Sequence, residues 1–284
     1  MSISGSGCEF IIPENELKEL SEIERGIIKK YRKTIWTKFI KAINEYELIQ
    51  DGDKIAIAIS GGKDSLLLAK VFQELLKHGK KNFSLEFISM DPGFNKANRD
   101  MLEKNCKHLN IPVKIFDNNI FEVVDEIAND YPCYMCARMR RGSLYNFAKE
   151  LGCNKLALGH HFDDVTETIM LNILYAGKYM TMMPKLKASN FEDMELIRPL
   201  YLVKEDAIKS FSSWAGLNPM NCGCVVAAKK TSSKRSEIKE LISQLNNINP
   251  DIEKSIFNSA HNVYLEAIIG WKKDNEKHSF LEKY

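Results

Sequence analysis

Ser60-Gly-Gly-Lys-Asp-Ser65, joined without a break to Lys54-Ile-Ala-Ile-Ala-Ile59, decides the fold. Five of the six residues in 54–59 are apolar, the pattern of a strand buried on both faces of a parallel sheet. Two glycines follow, so the backbone can turn sharply and approach a ligand with no Cβ in the way. A helical pattern starts at once, from Leu66 to Leu76. Free N–H groups at that helix start, the Lys63 ammonium and the hydroxyls of Ser60 and Ser65 form a cradle for an anion. The Gly-x4-Gly-Lys spacing of a Walker A loop is absent. A plain strand–turn–helix corner would have no use for Lys63, Asp64 and two hydroxyls.

Outward from that junction, strands and helices alternate. Residues 13–47 read as helical, and Asp51-Gly52 turns the chain into the first strand. Strands are expected at 84–90, 112–116 and 155–158, with helices at 95–109, 118–130, 137–151 and 165–176. Such alternation implies an α/β protein with a doubly wound parallel sheet and ligands outside the carboxyl ends of the strands. Both Ser60–Ser65 and Gly159-His-His-Phe-Asp-Asp164 fall at such ends. Beyond about residue 180 the pattern changes. Residues 179–195 read as a loop leading to Leu196–Leu200, a helix then runs to Trp214, residues 234–270 read as mostly helical, and the polar last dozen residues read as a fraying end.

The bulk composition of this 284-residue chain, 44% hydrophobic and 27% charged, is that of an ordinary water-soluble globular protein. No apolar run approaches the roughly 20 residues that cross a bilayer. The start of the chain lacks the basic and apolar parts of a secretion signal, so a cytoplasmic location is expected. Its seven cysteines then read as reduced thiols. Net charge is only +2, but Arg25–Lys41 holds seven basic residues and no acidic one, with Tyr31, Trp36 and Phe39 among them. That segment reads equally as a phosphate-gripping, base-stacking surface or as a solvated helix whose aromatics face the core.

Cys133-x-x-Cys136 and Cys222-Gly-Cys224 stand out among the cysteines. Two thiolates spaced by two residues can converge on one metal centre. Four would suit zinc, and three would suit an iron–sulfur cluster with one iron open. The tight Cys222-Gly-Cys224 pair fits zinc poorly unless only one of the two is a ligand. Catalytic thiols without metal remain a third reading. Cys106 and Cys153 read as buried core thiols.

The order Ser60–Ser65, then Cys133-x-x-Cys136 with Arg138, Arg140 and Arg141, then Gly159–Asp164 resembles the tRNA 2-thiocytidine synthetases, a branch of the PP-loop ATP pyrophosphatases that thiolate tRNA. Similar wording runs through Arg140–Tyr145, Met183–Leu186 and Ile197-Arg-Pro-Leu200. The resemblance implies an N-terminal helical region at 1–50, a PP-loop domain at 51–215 carrying the Cys-x-x-Cys, and a helical region at 216–284 with a third cluster cysteine. It implies a 4Fe-4S cluster held by Cys133, Cys136 and Cys222, with Cys224 in reserve, because the family's usual pairing near that position is altered here.

It further implies that ATP lies on Ala58, Ser60, Gly61, Gly62, Lys63, Asp64, Ser65, Met90, Arg140, Gly159 and Asp164, with Asp163 as the alternative to Asp164. Adenylation of a cytidine C2 oxygen would make it a leaving group, with Lys63 and Mg²⁺ stabilising the departing pyrophosphate. Sulfur would then replace AMP. His160 and His161 read as general bases or, more simply, as structural histidines, and Glu167 and Thr168 as orienting groups. The partners implied are tRNA, a sulfur donor such as a cysteine desulfurase or free sulfide, and a second copy in a homodimer; Lys229, Lys230, Lys234 and Arg235 read equally as a grip on tRNA phosphates or as an exposed solvated face. A tRNA uridine or a small-molecule substrate of an ATP-dependent ligase or sulfurtransferase is the competing expectation.

Overall fold

A computed structural model describes residues 15–118, 132–220 and 234–284, with backbone alone for 132–137 and Lys283. The chain divides into two compact units, Met1–Asp164 with Met183–Ser232, and Val165–Met182 with Ser233–Tyr284.

In the first unit, β1 (Lys54–Ala58) pairs in parallel with β2 (Ser84–Asp91) on one side and β4 (Lys155–Ala157) on the other. Outside β2 lies β3 (Val113–Asp117), and outside β4 lies β6 (Glu195–Ile197), both parallel to their neighbours. The strand order β3-β2-β1-β4-β6-β5 therefore reverses direction at β1. A crevice opens outside the strand ends at such a switch point, and both polar motifs follow the strands that flank it. Ile55, Ala56 and Ile57 are wholly buried, as the unbroken apolar run requires of a central parallel strand.

Helices flank the sheet. α1 (Leu20–Ile28), one π-helical turn (Arg32–Trp36) and α2 (Thr37–Glu45) make up the helical stretch expected within 13–47. α3 (Lys63–His78) follows β1, and α4 (Lys96–His108) follows β2. α5 (Pro132–Glu150) begins five residues before the expected start; α6 (Phe162–Ala176), which belongs to the second unit from Val165 on, begins three before. α7 (Glu205–Trp214) closes the unit. The helix expected over 118–130 lies, apart from Asn118, outside the described residues.

Two stretches correct the sequence reading. Residues 179–195 are not all loop, because Lys185–Lys187 forms β5, an antiparallel edge strand on β6. Three residues carry too short an alternation to be seen, and lysine suits an exposed edge. In the second unit, α8 (Lys234–Ile248) and α9 (Ile252–Ser259) match the helical expectation. The end of the chain does not fray: β7 (Gly270–Lys273) and β8 (Glu276–Ser279) form a hairpin. Its turn, Asp274-Asn275, takes positive φ at both residues, the geometry that matches strand twist. The Trp271 and His278 rings stack across it, and Ser279 and Glu282 form a reciprocal cap on the last turn.

Buried charges fix the layers of the first unit. Lys70, fully buried on α3, reaches Glu24 of α1 and the Gln73 oxygen at 2.7 Å each and the Leu109 carbonyl at 3.1 Å. Lys155 joins the starts of three strands through Asp53 at 3.2 Å, Glu195 at 3.0 Å and the Leu48 carbonyl at 3.1 Å. Removing one partner of such a set strands a charge and costs several kcal/mol.

α1 also seats closely on α7. A Cβ added at Gly26 would stand 2.2 Å from Cη2 of Trp214, a ring held by Tyr31 and Phe211. Gly26→Ala is therefore expected to lower unfolding free energy by about 1–3 kcal/mol through overpacking. Urea denaturation checks this, and an unchanged midpoint and slope would contradict it.

Candidate active site

The turn between β1 and α3 is built from its own polar atoms. The Ser65 hydroxyl donates to the Gly62 carbonyl at 2.9 Å and accepts from the Ser60 N–H at 3.1 Å. The Ser60 hydroxyl lies 3.2 Å from it. Ser65 is thus the staple of the loop, while Ser60 is exposed at its mouth. Gly61 takes φ +80°, and a Cβ there would lie 2.5 Å from the Met220 sulfur. The Met220 N–H also donates to the Gly61 carbonyl at 2.9 Å. The chain just before Cys222 is thereby tied to the phosphate loop. Cys222 and Cys224 themselves lie outside the described residues.

Gly159, after β4, brings the second motif onto the first turn of α3. A Cβ at that position would sit 3.3 Å from Asp64 Cβ and 3.3 Å from the Ser65 nitrogen. With hydrogen there instead, first-turn N–H groups of α3 and the 159–164 segment border one crevice.

Charges in that crevice are dense. Lys63 Nζ lies 3.2 Å from both Asp64 and Glu205. Burial pushes its ammonium down, but the two carboxylates outweigh burial and hold its pKa above the ordinary lysine value. His161, 7% exposed, stands between Asp163 at 3.6 Å, Asp164 at 3.5 Å and Asp64 at 3.9 Å. Burial favours its neutral form, and the three carboxylates reverse that, so its pKa is raised. Asp163 accepts the Glu205 N–H at the start of α7 at 2.7 Å. Burial lifts its carboxyl pKa, but His161 and that N–H bring it below the ordinary value. Asp164 accepts the His161 N–H at 2.8 Å. Asp64 Oδ1 is buried and has no hydrogen-bond partner among the described residues.

The sequence-derived set divides in three. Ser60 to Ser65, Gly159 and Asp164 are brought together by the contacts above. Ala58 and Met90 lie towards the ends of β1 and β2, on the same edge of the sheet, and Met139, Leu144 and Phe147 of α5 pack on Met90. Arg140, the residue after Met139, is half-buried on the same helix. Cys133 and Cys136 lie three residues apart at the start of α5, where positions i and i+3 share one side of a helix. Arg235 is engaged by Glu167 at 2.6 Å and Lys234 lies over the Tyr175 ring, while Lys229 and Lys230 lie outside the described residues. Burial pushes the thiols of Cys106 and Cys153 up, to about 12 and about 11, so both are inert core groups.

Two polar groups escaped the sequence reading. Glu205 opens an amphipathic helix, and nothing local marks it as the partner of Lys63. Arg198 is buried at the end of β6, where Nη1 donates to the Met183 carbonyl and Nε has no partner among the described residues. Burial, then Arg141, push its guanidinium down to about 10. Asp164 of the crevice is among the charges that act on it. The Arg-Pro-Leu wording was its one signal.

Comparison with known proteins agrees with this geometry. A family model described as the PP-loop domain matches residues 32–221. The tRNA-cytidine(32) 2-sulfurtransferase of Syntrophotalea carbinolica is 37% identical over 225 residues, covering 78% of this chain and 86% of that protein. The protein of the same name from Pelobacter propionicus is 36% identical over 227 residues, covering 79% and 83%. Among solved structures, the U34-tRNA thiolase NcsA from Methanococcus maripaludis, with its 4Fe-4S cluster, matches with TM-score 0.65 and 26% identity, over 88% of this chain and 82% of that one. The chain belongs to the PP-loop family and, within it, to the tRNA-cytidine(32) 2-sulfurtransferases.

Proposed function

We propose that this protein is an ATP-dependent tRNA sulfurtransferase that replaces the C2 oxygen of a cytidine in the anticodon loop with sulfur, forming AMP and pyrophosphate in the cytoplasm. One observation carries the reading. The phosphate loop and the Gly159–Asp164 segment, in a chain 37% identical to a tRNA-cytidine(32) 2-sulfurtransferase, close on one crevice at the sheet's switch point.

The C2 oxygen is a poor leaving group until it attacks the α-phosphorus of ATP and the α–β bond breaks. First-turn N–H groups of α3 and the Ser60 hydroxyl would hold the departing pyrophosphate. Lys63 stays protonated among its carboxylates and would exchange Asp64 and Glu205 for the developing phosphate charge. Ala58, Met90 and Arg140 would border the nucleoside of ATP, and Asp164 its phosphate end. Asp163, engaged on α7, is better suited to holding the segment than to touching ATP. His161 acts as a buried counter-ion that keeps three carboxylates together.

Mg²⁺ supplies charge neutralisation on the phosphates and needs few protein ligands, for which Asp64 Oδ1, buried and without a hydrogen bond among the described residues, is suited. Cys133, Cys136 and Cys222 would hold a 4Fe-4S cluster, whose chemistry is to deliver sulfur. An unpaired loop base can leave its stack to enter such a pocket. No helix among the described residues is long and apolar enough to cross a membrane.

Mass spectrometry of tRNA nucleosides from a deletion strain tests the substrate. Loss of 2-thiocytidine alone is expected. Loss of a thiouridine would overturn the cytidine assignment, and no change in any thionucleoside would point to a small molecule. Complementation with Lys63→Ala is expected to restore less than about 1% of wild-type thiolation, with iron content unchanged. Normal thiolation would refute the role of the loop. Cys133→Ala or Cys136→Ala is expected to bind no cluster on anaerobic reconstitution while keeping its helical circular dichroism. Full iron and sulfide in either variant would refute that ligand.

The counter-ion role has a pH signature. The folded-state pKa of His161 exceeds the unfolded value of about 6.5. Its stabilisation is therefore complete below that value and lost as pH rises through the folded one. His161→Asn should cost more unfolding free energy at pH 6 than at pH 9, measured by urea titration. An equal cost at both would contradict the role.

A further inference from the structure

The basic segment 25–41 has no part in the crevice, yet its arrangement is ordered. Ile23, Ile27, Tyr31, Ile35, Phe39 and Ile43 are all buried, at a spacing of four residues. Arg25, Lys29, Lys33 and Lys41 follow two residues behind that series and are all exposed, with Thr37 at the fourth step and Glu45, 3.4 Å from Lys41, at the sixth. Two residues are about 200° around a helix, so the cations run along the side opposite the buried stripe. Arg32 and Lys38 lie beside them, and Lys30 caps the Trp214 ring at 4.8 Å.

A four-residue repeat drifts by about 40° per step on an α-helix and would soon bring the cations round to the core. The π-helical turn takes up part of this drift. Tyr31 N–H bonds to the Gly26 carbonyl and Trp36 N–H to the Tyr31 carbonyl, both five residues back. A wider turn at this point absorbs some of the excess angle, so both stripes stay on their own sides. The backbone thus spends an irregularity on keeping seven cations facing outwards.

Simple solubility does not explain the pattern. Solvated faces mix both signs, whereas 25–41 holds none of the opposite sign. Arg32, Lys33 and Lys38 also open the second helical stretch, whose first turn has no acidic residue. Cations are disfavoured at that positive end of the helix dipole, and an anion laid across it reverses the penalty.

The aromatics decide which anion. Tyr31 packs edge-on to Phe211 and donates to the Ser210 carbonyl at 2.8 Å, and Phe39 packs edge-on to Phe72. Neither offers a face to a base, and the half-buried Trp36 leans on Phe39 with ring centroids 5.8 Å apart, so the segment lacks the row of open rings that a single strand stacks on. What remains is a row of flexible point charges about 24 Å long, suited to the phosphodiester backbone of a folded RNA.

We infer that the exposed stripe Arg25–Lys41 is a docking surface for the phosphate backbone of a tRNA stem, separate from the crevice that receives the target base. The inference rests on tRNA being the substrate. Its contacts are independent of base sequence, and each displaces counterions from the RNA.

Lys29→Gln, Lys33→Gln and Lys41→Gln combined in the full chain test it, against Lys104→Gln, Lys107→Gln and Lys149→Gln, an equal charge change at exposed positions on α4 and α5. The probe is unmodified tRNA transcript, titrated at several salt concentrations. The stripe variant should bind at least about ten-fold more weakly, with a slope of log Kd against log salt shallower by about 2–3. KM for tRNA should rise in step, with kcat and iron content unchanged. The α4/α5 variant, and Lys→Arg at the three stripe positions, should bind as wild type. Tight wild-type binding with an unchanged Kd and slope in the stripe variant overturns the surface alone. Failure of wild type to bind tRNA overturns the substrate reading, and this inference with it.

Discussion

The Ser65 hydroxyl, bonded to both the Ser60 N–H and the Gly62 carbonyl, is the interaction on which the rest of the site depends. It fixes a turn that Gly61 alone can make, with a left-handed φ and the Met220 sulfur where a side chain would be. Once the turn is fixed, first-turn N–H groups of α3 point out of the sheet edge, and a neighbour without a Cβ can come against them. Gly159 is that neighbour. Its approach brings along His161, Asp163 and Asp164, and Asp163 in turn holds the start of α7, from which Glu205 meets Lys63. One short turn thus sets four elements around one volume.

Electrostatics follow from this crowding. Lys63 and His161 sit in partial burial among carboxylates that would otherwise repel one another, and in both the carboxylates raise the pKa against burial. Such an arrangement is assembled before substrate arrives, the condition under which fixed charges lower a barrier. At the opposite end of the sheet, Lys155 with Asp53 and Glu195 joins the starts of three strands and meets no crevice. A buried ion set of this kind adds little net stability but penalises misaligned strands. The tRNA stripe uses charge in a third way, exposed and screened by salt, where it steers and positions without ordering the core.

Legibility in the sequence followed the length and regularity of each signal. β1 and the loop were plain, because an unbroken apolar run ending in Gly-Gly-Lys-Asp-Ser has few other uses. The parallel sheet followed from alternation alone. β5 was hidden because three residues hold less than two periods of a strand, and the C-terminal hairpin because its strands are polar on both faces and rest on a turn and a ring stack. The π-helical turn was invisible as such, although a four-residue apolar spacing that a regular helix cannot sustain was its trace. Glu205 and Arg198 matter through contacts distant in sequence, with Lys63 and with the Met183 carbonyl, and no local pattern encodes those. The aromatics of 25–41, ambiguous as letters, were settled by packing: Tyr31 and Phe39 are buried, Trp36 is half-buried against Phe39, and the cations are exposed.

The central claim is that the loop holds pyrophosphate while the C2 oxygen of a cytidine takes the adenylyl group. Substrate tRNA carrying ¹⁸O at that C2 position, converted by the cluster-loaded enzyme with ATP and a sulfide source, tests it most directly. The label is predicted to leave in AMP, one atom for each cytidine thiolated. Label appearing in inorganic phosphate alongside ADP, or in water, would contradict the claim.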